Sequence, residues 1–186
     1  MSLHAASYRT VTAPARKGVQ QKLTDQFERL FGAEYRRVVA IAQRVLNDGH
    51  EAEDVAQEVF LSFHGRHDPA AGYAPAWLHA AAVHRALNRL RGHRRRARRE
   101  AAQAVLEPEG GDDPEQVYVR AEERRAVQQA LKRLPERSAA VLVLRYSGLS
   151  YAEVAAAMGI GIGQVGTRLK RAEEAFRREV TRGTSE

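Results

Sequence analysis

The chain of 186 residues contains no cysteine, which excludes disulfides, thiolate metal sites and thiol catalysis. It also lacks any stretch approaching the roughly 20 consecutive apolar residues of a membrane span. No β-branched run is bounded by hairpin turns, so nothing argues for a sheet. Residues 1–22 lack acids and carry Arg, Ser and Thr, a composition faintly like that of an organellar transit peptide. They also lack the apolar centre of a secretory signal, and they read as a frayed N-terminal extension. Acidic residues are outnumbered by basic ones, 23 to 30, leaving a net charge of +7. Such an excess suits a polyanionic partner, nucleic acid before anionic lipid. The 44% apolar content excludes a wholly disordered chain, and the length suits one ordinary domain or two small ones. A reducing cytoplasm fits the absence of cysteine.

What is present is helical periodicity. From Thr24, an expected N-cap, Phe27, Leu30, Phe31, Val38, Ile41, Ala42, Val45 and Leu46 recur at steps of three and four, until Asn47-Asp48-Gly49 stops the helix. A second helix is expected from Glu51 to about His64. A third is expected from Pro75, the first helical residue, past Trp77, Leu78 and Leu87 to about Leu90. Residues 100–116 hold six acids, no base, two prolines and the pair Gly110-Gly111, the composition of a flexible linker. Beyond it a helix carries Val127, Ala130, Leu131 and Leu134. Pro135 breaks that helix and starts another, which Gly148 closes. Ser150-Tyr151-Ala152-Glu153 is a capping box opening a short helix that Gly159 ends. A final helix carries Ile162, Val165, Leu169, Ala172 and Phe176. The expected fold is all-α, with two small helical domains joined by a flexible acidic linker: an extension at 1–22, a domain at 23–99, the linker at 100–115 and a second domain at 116–182.

Gly161-Ile162-Gly163-Gln164-Val165-Gly166 spells the GxGxxG string of dinucleotide-binding enzymes. That string needs a preceding strand and an acid roughly 20 residues on. Here an alanine-rich helix precedes it, and the next acids, Glu173 and Glu174, come too early. A short capped helix, a glycine turn and a basic helix instead make a helix-turn-helix, whose second helix enters the major groove.

Three constellations stand out. In the last helix Gln164, Thr167, Arg168, Lys170 and Arg171 lie off the apolar stripe, where glutamine can pair with adenine and the cations with guanine or phosphate. Residues 85–99 hold eight arginines and no acid, a density that polyphosphate would neutralise. Tyr73 and Trp77 lie just upstream, where an unstacked base could rest. In residues 51–60, Glu51, Asp54 and Glu58 form a carboxylate ridge on one helix face, suited to a cationic protein partner. Each constellation is also compatible with a solvated helix face. His64 and His67 lack both metal-ligand spacing and a third ligand, so no metal is expected.

In this order, the acidic EAEDVAQEVF, the Trp77-Leu78 helix with its arginine tail, the acidic linker and LPERSAAVLVLRYSGLSYAEVAAAMGIGIGQVGTRLKRA resemble the extracytoplasmic-function (group IV) sigma factors of bacterial RNA polymerase. The resemblance covers about residues 25–180. It implies a cytoplasmic transcription initiation factor with no enzymatic activity, cofactor or small-molecule substrate. Its implied partners are the polymerase core, through the largest-subunit coiled coil and the flap, promoter DNA, and an anti-sigma factor. Asp54, Gln57 and Glu58 would dock on the core. Tyr73, Trp77, His84, Arg85, Asn88, Arg91, Arg94 and Arg95 would open and hold the minus-ten element. Arg145, Gln164, Thr167, Arg168, Lys170 and Arg171 would read the minus-thirty-five duplex, and the linker would thread the RNA path. Departures from the family pattern are His84 and Asn88 where Asn and Asp are frequent, a turn after Arg145 one residue short, and Gly161 and Gly166 in the reading helix. Gly166 stands where Lys or Arg is common. Either the helix backbone approaches the groove closely there, or this chain reads less of that element. The rival function is a helix-turn-helix regulator acting without polymerase; a nucleotide-dependent enzyme is a distant third.

Overall fold

The computed structural model describes the backbone of residues 13–100 and 114–183 and the side chains of 21–92 and 121–183. The described residues form helices and no strand: α1 (Ala13–Leu46), α2 (Gly49–Phe63), α3 (Ala74–Glu100), α4 (Pro114–Arg133), α5 (Glu136–Tyr146), α6 (Tyr151–Met158) and α7 (Ile162–Gly183). The all-α expectation holds, with boundaries moved: α2 starts at Gly49 and α3 at Ala74, slightly earlier than expected, and α4 starts at Pro114, inside the expected linker. α1 begins at Ala13, so Thr24 lies inside the helix instead of capping it, and residues 13–22 of the expected extension are helical. Pro14 suits a first helical turn, and no proline follows before Leu46 to stop the helix. α3 continues to Glu100, because arginine is a good helix former and a single Gly92 is tolerated. Residues 1–12 and most of the expected linker, 101–113, lie outside the described residues.

Each junction has a local cause. Asn47 takes the left-handed conformation, φ 56°, that ends α1. Asp48 then caps α2, its carboxylate accepting the Glu51 N–H at 2.9 Å. At α6 the Ser150 hydroxyl accepts the Glu153 N–H while the Glu153 carboxylate accepts the Ser150 N–H, and Gly159 closes the helix at φ 61°. The capping box and the glycine stop are thus present as expected.

α1, α2 and α3 pack on one another through Val38, Ile41 and Val45, through Val55, Val59 and Phe63, and through Leu78, Val83 and Leu87, all fully or nearly fully buried. The buried His79 also ties α3 to α1, with Nε2 2.8 Å from a Glu34 carboxylate oxygen. In the second unit α4, α5, α6 and α7 enclose Leu131, Leu144, Leu149, Val154, Val165 and Leu169. Burying each such aliphatic side chain stabilises the fold by about 1.5–3 kcal/mol.

The two units also pack against each other, α3 meeting α5 and α6. Glu136 at the start of α5 pairs with His84 and with Arg91 of α3. Arg91 donates to the Leu134 carbonyl at 3.2 Å, and Gln128 donates to the Leu46 carbonyl at 2.6 Å. Arg37 of α1 meets Glu153 of α6 at 2.7 Å.

Candidate nucleic-acid interface

The helix-turn-helix is formed by α6 and α7, with α5 packed against both. Val165, Leu169 and Ala172 bury one stripe of α7, and the 3.6-residue period leaves Gln164, Thr167, Lys170 and Arg171 exposed on the rest, with Arg168 half-buried. Gln164, Thr167, Arg168 and Arg171 line one concavity together with Arg137 and Ser138 of α5. Arg168 donates to the Gln164 side-chain oxygen at 3.3 Å, which orders both on the helix surface. Lys170 is exposed but lies outside that concavity. Among the described residues no carboxylate pairs with Arg137, Arg168, Lys170 or Arg171. This surface therefore presents uncompensated cations and an amide side by side, a combination suited to phosphates and base edges. Arg137 and Ser138 were not among the expected contact residues, although Pro135 was read as starting the helix that carries them. The signal was there, because a helix opening after Pro135 places both residues in its first turn.

Arg145 sits at the end of α5. It donates to the Leu149 carbonyl at 3.2 Å, and its guanidinium carbon lies 5.6 Å from the centroid of the Tyr151 ring. The short turn after Arg145 thus folds back on that side chain, Gly148 making it possible at φ 92°. A Cβ added at Gly166 would stand 3.7 Å from the Tyr151 ring, an ordinary contact.

Among the described side chains of α3 the cations are paired. Arg85 meets Glu58 at 3.3 Å, Arg89 meets Glu58 at 2.6 Å and Asp54 at 3.7 Å, and His84 and Arg91 meet Glu136. Asn88 is exposed. The side chains of Arg94 and Arg95 lie outside the described residues. Tyr73 and Trp77 are brought together by a residue the sequence argument set aside. The His67 ring lies 4.5 Å from the Trp77 ring, 5.1 Å from Phe63 and 6.0 Å from Tyr73, centroid to centroid. Trp77 packs partly buried against Phe63, and Tyr73 is half-exposed. His64 stacks edge-on against Phe27 at 4.7 Å. Both imidazoles are aromatic packers, and among the described residues no group of three His, Asp or Glu converges as metal ligands would.

Asp54, Gln57 and Glu58 stand exposed on α2, with Leu61, itself 74% exposed, one turn further on. The cationic partner that the carboxylate ridge requires is thus supplied in part from within, by Arg85 and Arg89. Asp54 nevertheless keeps 67% of its side chain open to solvent.

Two electrostatic perturbations accompany this geometry. The backbone N–H and then the hydroxyl of Ser150 lower the Glu153 pKa to about 2, with Arg37 adding to the effect. The Tyr146 hydroxyl donates to Glu173 at 2.9 Å, and that carboxylate holds the phenol above its usual range.

A family model described as Sigma-70 region 2 matches residues 30–96, and one described as Sigma-70, region 4 matches residues 124–176. The chain is 33% identical over 154 residues to the ECF RNA polymerase sigma factor SigE of Mycolicibacterium smegmatis, covering 81% of this chain but only 60% of that protein. It is 32% identical over 151 residues to the RNA polymerase sigma-H factor of Pseudomonas aeruginosa, covering 75% of this chain and 78% of that one. With the ECF RNA polymerase sigma factor SigW of Bacillus subtilis it shares 29% identity over 155 residues, 77% of this chain and 83% of the other. No described helix is long and apolar enough to cross a membrane.

Proposed function

The chain belongs to the sigma-70 family, in its extracytoplasmic-function group, and from that premise we propose that it binds core RNA polymerase in the cytoplasm and directs it to promoters without catalysis of its own. The observation carrying this reading is that one chain presents an unpaired basic concavity on α5 and α7 and, on a different helix, the exposed ridge Asp54, Gln57 and Glu58.

In this reading α7 lies in the major groove of the minus-thirty-five duplex. Gln164 and Thr167 face base edges, while Arg137, Arg168 and Arg171 hold phosphate or guanine. Lys170 and Arg145 extend the phosphate contact. The α3 surface, with Tyr73, Trp77, His84, Arg85, Asn88, Arg91, Arg94 and Arg95, serves the minus-ten element. His67 there sets the spacing of the two large aromatics on which an unstacked base would rest. Asp54, Gln57 and Glu58 dock on a basic surface of the largest-subunit coiled coil. The apolar crevice of about 250 Å³ lined by Val127, Leu131, Leu142, Tyr146 and Phe176 takes an apolar side chain of the flap or of an anti-sigma partner.

Co-purification with core polymerase tests the docking ridge. Asp54→Lys is expected to lower core affinity by about 2 kcal/mol or more, while Arg168→Ala leaves it unchanged and weakens promoter binding. A chain that binds promoter duplex yet never retains polymerase would be a regulator acting alone, contrary to this proposal.

A further inference from the structure

Gly166 lies inside the reading helix, where glycine is the poorest helix former after proline, and it occupies the flank of α7 turned toward α6. A Cβ built there would stand 3.7 Å from Tyr151 Cε2, an ordinary contact distance. The tyrosine ring therefore covers the helix backbone at the place from which a longer side chain at 166 would emerge. Tyr151 is fixed from two further directions. It is the first residue of α6, inside the Ser150–Glu153 capping box, and the Arg145 guanidinium lies over its ring. Arg145 is itself anchored on the Leu149 carbonyl. Yet Tyr151 as a whole remains 42% exposed. Three groups thus hold an aromatic side chain without burying it, on the opposite flank of α7 from Arg137 and Ser138.

Resting on the minus-thirty-five reading of α7, we propose that Tyr151 is a specificity-determining residue of this protein. It contacts the DNA base step that a side chain at 166 would otherwise reach. Its chemistry fits that role, since an aromatic face packs on a thymine methyl and a phenol can donate to or accept from a base edge. On this account Gly166 removes no reading function. It leaves room for the reading group to come from the neighbouring helix.

The test is binding of the polymerase holoenzyme to promoters randomised over the minus-thirty-five element, comparing base preference at each position with overall affinity. Tyr151→Ala is expected to flatten preference at one or two positions by about tenfold while other positions keep theirs. Tyr151→Phe, which retains the ring on Gly166, loses less at the same positions. Gly166→Ala leaves the preferences intact, because its Cβ fits. Gly166→Arg resets the positions that Tyr151→Ala flattens, and adding Tyr151→Ala to it changes little, the non-additivity expected of residues sharing one contact. The proposal is overturned if Tyr151→Ala leaves every preference intact or lowers affinity equally for all sequences. It is also overturned if the effects of Tyr151→Ala and Gly166→Arg add at different positions. Arg168→Ala separates the levels: if it weakens binding while Tyr151→Ala changes nothing, only this inference fails. If neither variant changes binding, the placement of α7 in the groove fails with it.

Discussion

Arg137, Arg168 and Arg171 have no carboxylate partner among the described residues, whereas Arg85, Arg89 and Arg91 each have one. A cation already paired must give up its partner before it takes a phosphate, while an unpaired one only sheds water and counterions. Replacing Arg168 or Arg171 with alanine is therefore expected to weaken minus-thirty-five duplex binding by about 1–3 kcal/mol where a base edge is lost. Where a phosphate contact is lost, the salt slope should fall by about 1. Titrations at several salt concentrations distinguish the two, and unchanged affinity and slope for both variants would contradict the placement of α7. Glu153 gives a second residue-scale expectation. Its folded pKa of about 2 lies below the usual 4.5, so its contribution to stability is present above that usual value and fades as pH falls toward 2. The melting temperature of Glu153→Gln should lie below that of the unaltered protein at neutral pH, and the gap should close near pH 2. A gap independent of pH would show that the Ser150 and Arg37 contacts do not act through the charge.

At the scale of elements, α6 is only eight residues long and depends on its caps, since a helix this short is marginal alone. Ser150→Ala is expected to cost about 0.5–2 kcal/mol and to loosen α7 with it, which denaturant titration would register. No loss of stability would contradict the capping role. These local devices were legible in the sequence. Ser150-x-x-Glu153, Gly159 and the Asn47-Asp48-Gly49 stop act within a few residues of themselves, so spacing alone identifies them. The apolar stripes of α2, α5 and α7 were legible for the same reason. The start of α1 and the end of α3 were not, because no breaker marks either. Glycine at 166, costing roughly 1 kcal/mol relative to alanine inside a helix, was visible as an oddity. Its neighbour Tyr151 was not, because the two meet only when α6 folds back on α7.

At the scale of the molecule, the sequence announced two bundles and a linker but not their contact. Glu136 reaches His84 across 52 positions of sequence, Gln128 reaches Leu46 across 82, and Arg37 reaches Glu153 across 116, and polar pairs at such separations leave no periodic trace. Partners 27, 31 and 52 positions away explain why the α3 cations looked free in the sequence while those among the described side chains are paired in the fold. Exposed pairs of this kind contribute only about 0–1 kcal/mol each, so they add modestly to the docking of two units that share one apolar core. In the proposed reading, His84 and Arg91 must leave Glu136 before they serve the minus-ten element. Glu136→Ala removes the partner of both and is expected to raise the radius of gyration in small-angle scattering. An unchanged radius would mean that apolar packing alone holds the units together.

The central claim is that one chain both engages polymerase and selects promoters. Run-off transcription on genomic DNA with purified core enzyme and this protein tests it most directly, with start sites mapped. The expected result is a small set of starts sharing two separated upstream elements, lost with Asp54→Lys and weakened with Arg168→Ala. Tight core binding that yields no specific start on any template would contradict it.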